Sequence, residues 1–205
     1  MKQKERLITR IHLLGMPGSG KDTNAIPLKN YYPEISDIVS TGNIFRGANS
    51  PDGEYGCYYS ILKPYIENTN NGGLIPDPII VRIVNLELDK RQKFNLSRFI
   101  FTGYPRTLGQ LDEINKSPQN DLFIFLDCSE DVAQRRIIKR YEEGLKNKNE
   151  RVDDNPKKFP NRLKNFQDLT LPLINELKTR GHLITIDANG TVKEVAKEIK
   201  EKVKI

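Results

Sequence analysis

A chain of 205 residues is long enough for one well-packed domain with small inserted segments and too short for two ordinary domains side by side. Its net charge of +6 does not point to nucleic acid, because lysines such as those of residues 193–204 are interleaved with acids in the manner of a solvated helix surface. Cys57 and Cys128 match no CxxC or zinc-ligand spacing, so a reducing cytosol is expected, without a disulfide framework or structural zinc.

The basic first residues lead into only a short apolar run, which predicts neither a signal peptide nor a membrane span. That run, residues 10–14, reads as the first strand. A glycine-rich turn and a helix over 21–30 follow it, and 35–39 is the second strand. About sixty residues then separate this strand from the next, far more than one crossover helix needs. They carry helical stretches at 55–70 and 77–93 and the turn-rich segments Asn49-Ser50-Pro51-Asp52-Gly53 and Asn70-Asn71-Gly72-Gly73, so a helical insertion able to move on hinges is predicted.

Strand 99–102, helix 108–116, strand 122–127 and helix 130–145 come next. Residues 143–155 are polar and without apolar periodicity. This segment is an ordinary surface loop or, because it carries Arg151, a lid over a phosphate site. A helix over 156–180, a strand at 183–186 and a helix over 192–203 complete the chain. The five strands are near-continuously apolar rather than alternating, which suits strands covered on both faces. Their alternation with helices predicts a three-layer α/β fold around a five-stranded parallel sheet.

The strongest motif is Gly15-Met16-Pro17-Gly18-Ser19-Gly20-Lys21-Asp22-Thr23, set between the first strand and the first helix. Glycines at 15, 18 and 20 let the backbone turn tightly and aim amides at one point, where the helix N-terminus adds positive potential. Lys21 then meets the β- and γ-phosphates of a nucleotide. His12 and His182 read as structural histidines.

From this loop onward the chain resembles adenylate kinases along nearly its whole length. The loop is similar to the family's GxPGxGKGT, and Ser40-Thr41-Gly42-Asn43-Ile44-Phe45-Arg46 is similar to its STGDLLR. Gly73-Leu74-Ile75-Pro76-Asp77 resembles GxLVPD, and Phe101 to Thr107 followed by Gln110 resembles LDGFPRTxxQ. Arg136, Arg140, Arg151 with Val152-Asp153-Asp154, and Arg162 look like the arginines around the family's lid.

The resemblance implies a fold of the P-loop nucleoside triphosphate hydrolase type, with residues 41–73 as the helical NMP-binding insertion and 141–155 as a short lid. It implies ATP at Gly15, Pro17, Gly18, Ser19, Gly20, Lys21, Asp22, Thr23, Arg136 and Arg140. AMP is expected at Thr41, Arg46, Leu74, Ile75, Gly103, Arg106, Gln110, Arg151 and Arg162, with Lys21, Arg106, Arg140, Arg151 and Arg162 catalytic. The implied reaction is reversible transfer of the ATP γ-phosphate to AMP, with Mg²⁺ as cofactor, in a cytoplasmic monomer that uses neither nucleic acid nor membrane. Such a transfer needs spread positive charge more than covalent chemistry, and the arginines with Lys21 supply it. Each arginine alone is also readable as an ion-pair partner; Arg136 and Arg140 stand one helical turn apart, in reach of Glu143.

Three positions depart from the family. Thr102 replaces the aspartate that holds waters on Mg²⁺, Asn43 replaces the aspartate after Thr-Gly, and Asp22 replaces the glycine after the loop lysine. Asp22 is therefore expected to take over part of the magnesium role. The competing reading is a nucleotide-binding protein of the same fold with weak or no transfer. A kinase for UMP or CMP is a further alternative, although such relatives usually carry alanine where Thr41 stands and asparagine where Thr107 stands.

Overall fold

The computed structural model describes residues 9–94, 96–116, 119–148 and 154–203. Strands β1 (Thr9–Leu14), β2 (Ser36–Ser40), β3 (Arg98–Thr102), β4 (Asn120–Asp127) and β5 (Leu183–Asp187) form one sheet in the order β2-β3-β1-β4-β5, every pair parallel. Helices α1 (Lys21–Asn30) and α10 (Val192–Val203) pack together over one face of it. Helices α5 (Asp77–Gln92), α6 (Leu108–Lys116) and α9 (Leu171–Thr179) form a contacting row on the other. This is the three-layer α/β architecture that the apolar runs predict. After its first residue, every residue of β1 and of β3 is buried, as strands covered on both faces require.

The remaining described helices are α2 (Thr41–Gly47), α3 (Tyr59–Leu62), α4 (Ile66–Asn70), α7 (Glu130–Lys146) and α8 (Phe159–Asn165). Three of these details differ from the sequence reading. Helix α2 was not anticipated. Its N-cap is Ser40, whose Oγ accepts from the Asn43 N–H at 3.3 Å, satisfying a first-turn donor. The stretch 55–70 is broken rather than continuous, with tight 3₁₀ turns at Gly56–Tyr58 and Lys63–Tyr65; Pro64 in the second turn has no N–H to donate. The stretch 156–180 opens with a 3₁₀ turn and divides into α8 and α9 around a wider π turn at Phe166–Thr170. Pro172 at the start of α9 lacks the N–H that would close an ordinary α turn on Asp168, which favours the wider turn.

Helix α7 runs through Lys146, so the first residues of the segment 141–155 are helical. On α10, Lys202 pairs with Glu198 at 2.7 Å and Lys197 lies 3.8 Å from Glu201. These pairs are what a solvated lysine face looks like. No helix among the described residues is long and apolar enough to cross a membrane.

At the centre of the sheet, His12 is fully buried between Phe101 of β3 and Phe123 of β4, its register partners on either side. The ring centroids are 4.9 and 4.7 Å apart with interplanar angles of 10° and 16°. The spacing of neighbouring strands thus sets the spacing of a three-ring stack. His12 Nε2 donates to Asp121 Oδ1 at 2.8 Å, and Arg10 grips the same carboxylate with two hydrogen bonds of 2.7 and 2.6 Å. Histidine here is structural, as the sequence reading expects.

Burial lowers the His12 pKa below its ordinary 6.5, outweighing the pull of Asp121. Burial raises Asp121, but hydrogen bonds from His12 and Arg10 more than reverse this and hold it low. Below pH 6.5 the unfolded chain therefore binds a proton that folded His12 refuses, and stability falls as the pH is lowered. The Asp121 contribution is present above the ordinary carboxylate range and is lost further down, as pH falls through its lowered folded value. Chemical unfolding should show stability falling by up to about 1.4 kcal/mol per pH unit below the ordinary histidine range. His12→Phe should flatten this dependence down to about pH 5; an unchanged slope in that variant would show that His12 is not its source.

Candidate active site

Because β3 lies between β1 and β2, the chain segments leaving the C-terminal ends of these three strands adjoin one another. They wall a cleft of about 550 Å³. Open parallel sheets bind ligands at this end.

The segment leaving β1 turns through Gly15, Gly18 and Gly20, with φ of 147°, 85° and 91°, and enters α1 without a side-chain cap. The first-turn amides of α1 are thus available to an anion. At Gly18 the freedom from a side chain is obligatory: a Cβ there would collide with the backbone of Ala133 in α7. Lys21 Nζ donates to the carbonyls of Gly15 and Met16 at 2.6 and 2.8 Å, so the ammonium folds back across its own loop. Burial, reinforced by repulsion from Arg106 and Arg162 and opposed by Asp22, pushes the Lys21 ammonium down to about 7. Phosphates over the loop would favour its charged form. Pro17 and Thr23 line the cleft, whereas Ser19 is buried and lies outside its lining.

Asp22, Ser40 and Thr102 meet beside the loop. Thr102 Oγ1 donates to Asp22 Oδ1 at 2.5 Å, and Ser40 Oγ donates to the same oxygen at 3.2 Å. Among the described residues lining the cleft, Asp22 is the only acid, facing Lys21, Arg46, Arg106, Arg140 and Arg162. Asn43 lies elsewhere: its Oδ1 accepts from Arg46 Nη2 at 2.6 Å and braces that guanidinium.

Thr41, Arg46, Leu74, Ile75, Gly103 and Gln110 line the same cleft as the glycine loop. Thr41 Oγ1 and Arg106 Nε both donate to the Gly103 carbonyl, at 2.9 and 3.0 Å. Gly103 has φ of 79°, and a Cβ there would stand 2.6 Å from the Thr41 hydroxyl. Gln110 is held by two contacts, accepting the Arg106 N–H and donating to Asp77, at 2.8 and 2.7 Å. Its amide keeps one further N–H and one lone pair by valence. Thr107 donates to the other Asp77 oxygen at 2.7 Å, so one carboxylate aligns two residues of the 106–110 turn.

Arg140 reaches Asp154 with two contacts of 2.5 Å, and Arg162 stands 3.8 Å from the same carboxylate, which is 1% exposed. Asp154 thus gathers two of the expected phosphate-binding arginines. Arg136 is not in the cleft lining; it donates to the carbonyls of Ala188 and Gly190 at 2.8 and 2.6 Å, tying α7 to the turn after β5. Arg151 lies outside the described residues. The sequence reading gave no role to Ser40, Asp77 or Asp154, although each stands inside a motif it quoted. A short polar residue beside an arginine or at a helix start was the available signal.

A glycine loop on a helix N-terminus, a lysine across it and a wall of arginines define a nucleotide-binding protein of the P-loop class, equipped for phosphoryl transfer. A family model described as adenylate kinase matches residues 13–182. An adenylate kinase of Oenococcus oeni is 36% identical over 198 residues, covering 93% of this chain and 95% of that protein. One from Bartonella bacilliformis is 36% identical over 196 residues, covering 93% and 97%. The chain belongs to the adenylate kinase family.

The collision at Gly18 gives a direct test of the loop. Gly18→Ala should lower ATP affinity by about tenfold or more, because the loop must lift from α7. Gly181 also has positive φ, 72°, but a Cβ there meets nothing within 4 Å. Gly181→Ala should therefore cost some stability while leaving ATP affinity unchanged, and calorimetry on the two folded variants distinguishes loop geometry from general strain.

Proposed function

We propose that this chain catalyses the reversible transfer of the γ-phosphoryl group of ATP to AMP, giving two ADP. The observation that carries the reading is that one cleft is lined both by the glycine loop and by Thr41, Arg46 and Gln110. Lys21, Arg106, Arg140 and Arg162 line the same cleft, where charge passes from donor to acceptor oxygens. In this reading residues 41–73 close over AMP, and 141–155, including Arg151, form a short lid over the phosphates. Arg136 acts at the donor end by holding the turn at 188–190 against α7. The aligned Gln110 amide supports recognition of a purine edge and favours AMP over UMP or CMP.

The family generally works on ATP with Mg²⁺, and the donor set here fits that ion. Asp22 is the one acid among the described residues lining the cleft, and a single carboxylate suits a cation that its nucleotide largely supplies with oxygen ligands. When bound, the metal would neutralise charge on the phosphate chain. Asp22 then holds the cation, Lys21 and Arg140 hold the donor phosphates, and Arg46 and Arg106 fix the acceptor phosphate. The deciding assay measures ADP made from ATP with AMP, UMP or CMP, with and without Mg²⁺. No ADP from any acceptor would favour a binding protein that has lost transfer.

Arg46→Ala and Arg106→Ala should each weaken AMP binding and lower turnover by about tenfold to a thousandfold while ATP affinity changes little. Equal loss of both affinities would place these forks elsewhere. Asp22→Gly should lower metal affinity and activity, and adding Thr102→Asp should restore much of both, since the carboxylate returns to the adjoining strand. A rise in activity for Asp22→Gly alone, at saturating Mg²⁺, would mark the carboxylate as an obstacle to ATP.

A further inference from the structure

We propose that Thr102 and Ser40 are positioning residues that aim the Asp22 carboxylate at the donor's divalent cation, an inference that rests on the metal reading above. Both hydroxyls converge on one oxygen, Asp22 Oδ1, from the ends of two neighbouring strands, β3 and β2. Two fixed donors on one oxygen restrict the carboxylate's rotation and set the direction of its other oxygen. The choice of donor matters as much as the number. Among the described residues, five cationic side chains line the same cleft, and each would bring positive charge to a carboxylate that it contacted. A hydroxyl donates a hydrogen bond to that oxygen and brings no positive charge of its own.

Both donors are themselves constrained. Thr102 is buried at the last position of β3, and its branched side chain has few rotamers. Ser40 Oγ accepts the Asn43 N–H that begins α2, which turns its own proton toward Asp22. Ser40 therefore joins the helix that carries Thr41 and Arg46 to the carboxylate on the ATP side. Thr102, where the family's aspartate stands, keeps a part in metal binding by orienting the acid that replaces it.

The test is the gain in ATP affinity that Mg²⁺ confers, measured by calorimetry with Mg²⁺ and with EDTA. Thr102→Val keeps the side-chain shape and removes the hydroxyl; it should cut that gain by about tenfold while ATP affinity in EDTA is unchanged. Thr102→Ser should keep the gain. Ser40→Ala, which leaves the buried end of β3 untouched, should cut it by a smaller factor, in line with the longer contact, and gives an independent reading should Thr102→Val fold poorly. Asp22→Asn separates the two levels of inference. If Asp22→Asn loses the gain while Thr102→Val and Ser40→Ala keep it, the metal reading stands and the positioning roles are wrong. If Asp22→Asn keeps the gain, the metal reading itself is wrong and the positioning proposal falls with it.

Discussion

The parallel pairing of β1 with β3 is the constraint on which the site depends. Its register sets Leu13 opposite Thr102, so the glycine loop after Leu14 and the turn after Thr102 emerge side by side. The pairing of β3 with β2 then brings Ser40 level with Thr102. Three segments distant in sequence are delivered to one edge of the sheet within hydrogen-bond reach of Asp22. The stack of His12 on Phe101 and Phe123 fixes the same strands laterally from within the core.

Charge is the second organising quantity. Cations crowded around a cleft repel one another, and the Lys21 ammonium, depressed chiefly by burial, is lowered further by Arg106 and Arg162. Acceptors hold these groups: Asp154 gathers Arg140 and Arg162, Asn43 braces Arg46, the Gly103 carbonyl receives Arg106, and outside the cleft Arg136 donates to backbone carbonyls. Each guanidinium is oriented by a partner, and orientation is most of what phosphoryl transfer asks of a protein.

Much of this was legible in the sequence because the strands are short apolar runs and the loop motif has few structural alternatives. The glycines at 15, 18 and 20 predict the positive φ values observed there. Other features depend on relations that no local pattern carries. The resemblance marks both Thr102 and Asp22 as departures, but their hydrogen bond spans 80 positions, and no local pattern shows that the two side chains touch. Helix α2 is short and lacks apolar periodicity, so only its serine cap marked it. The π turn before Pro172 reflects one missing amide within an otherwise helical stretch, a change too local for a periodicity argument to detect.

The topology also dictates when the site comes into being during synthesis. Strand β1 emerges first, yet its partners, β3 and β4, lie beyond the whole helical insertion. Contacts of such long sequence separation form slowly, after the intervening chain has been ordered. The glycine loop therefore exists as sequence before it exists as a shape, since the strand that carries it is flanked on both sides only when β3 and β4 have been made. Until β3 has followed, the apolar β1 has neither of its neighbouring strands to pair with, and the protein's most functional segment is also one whose structure arrives late.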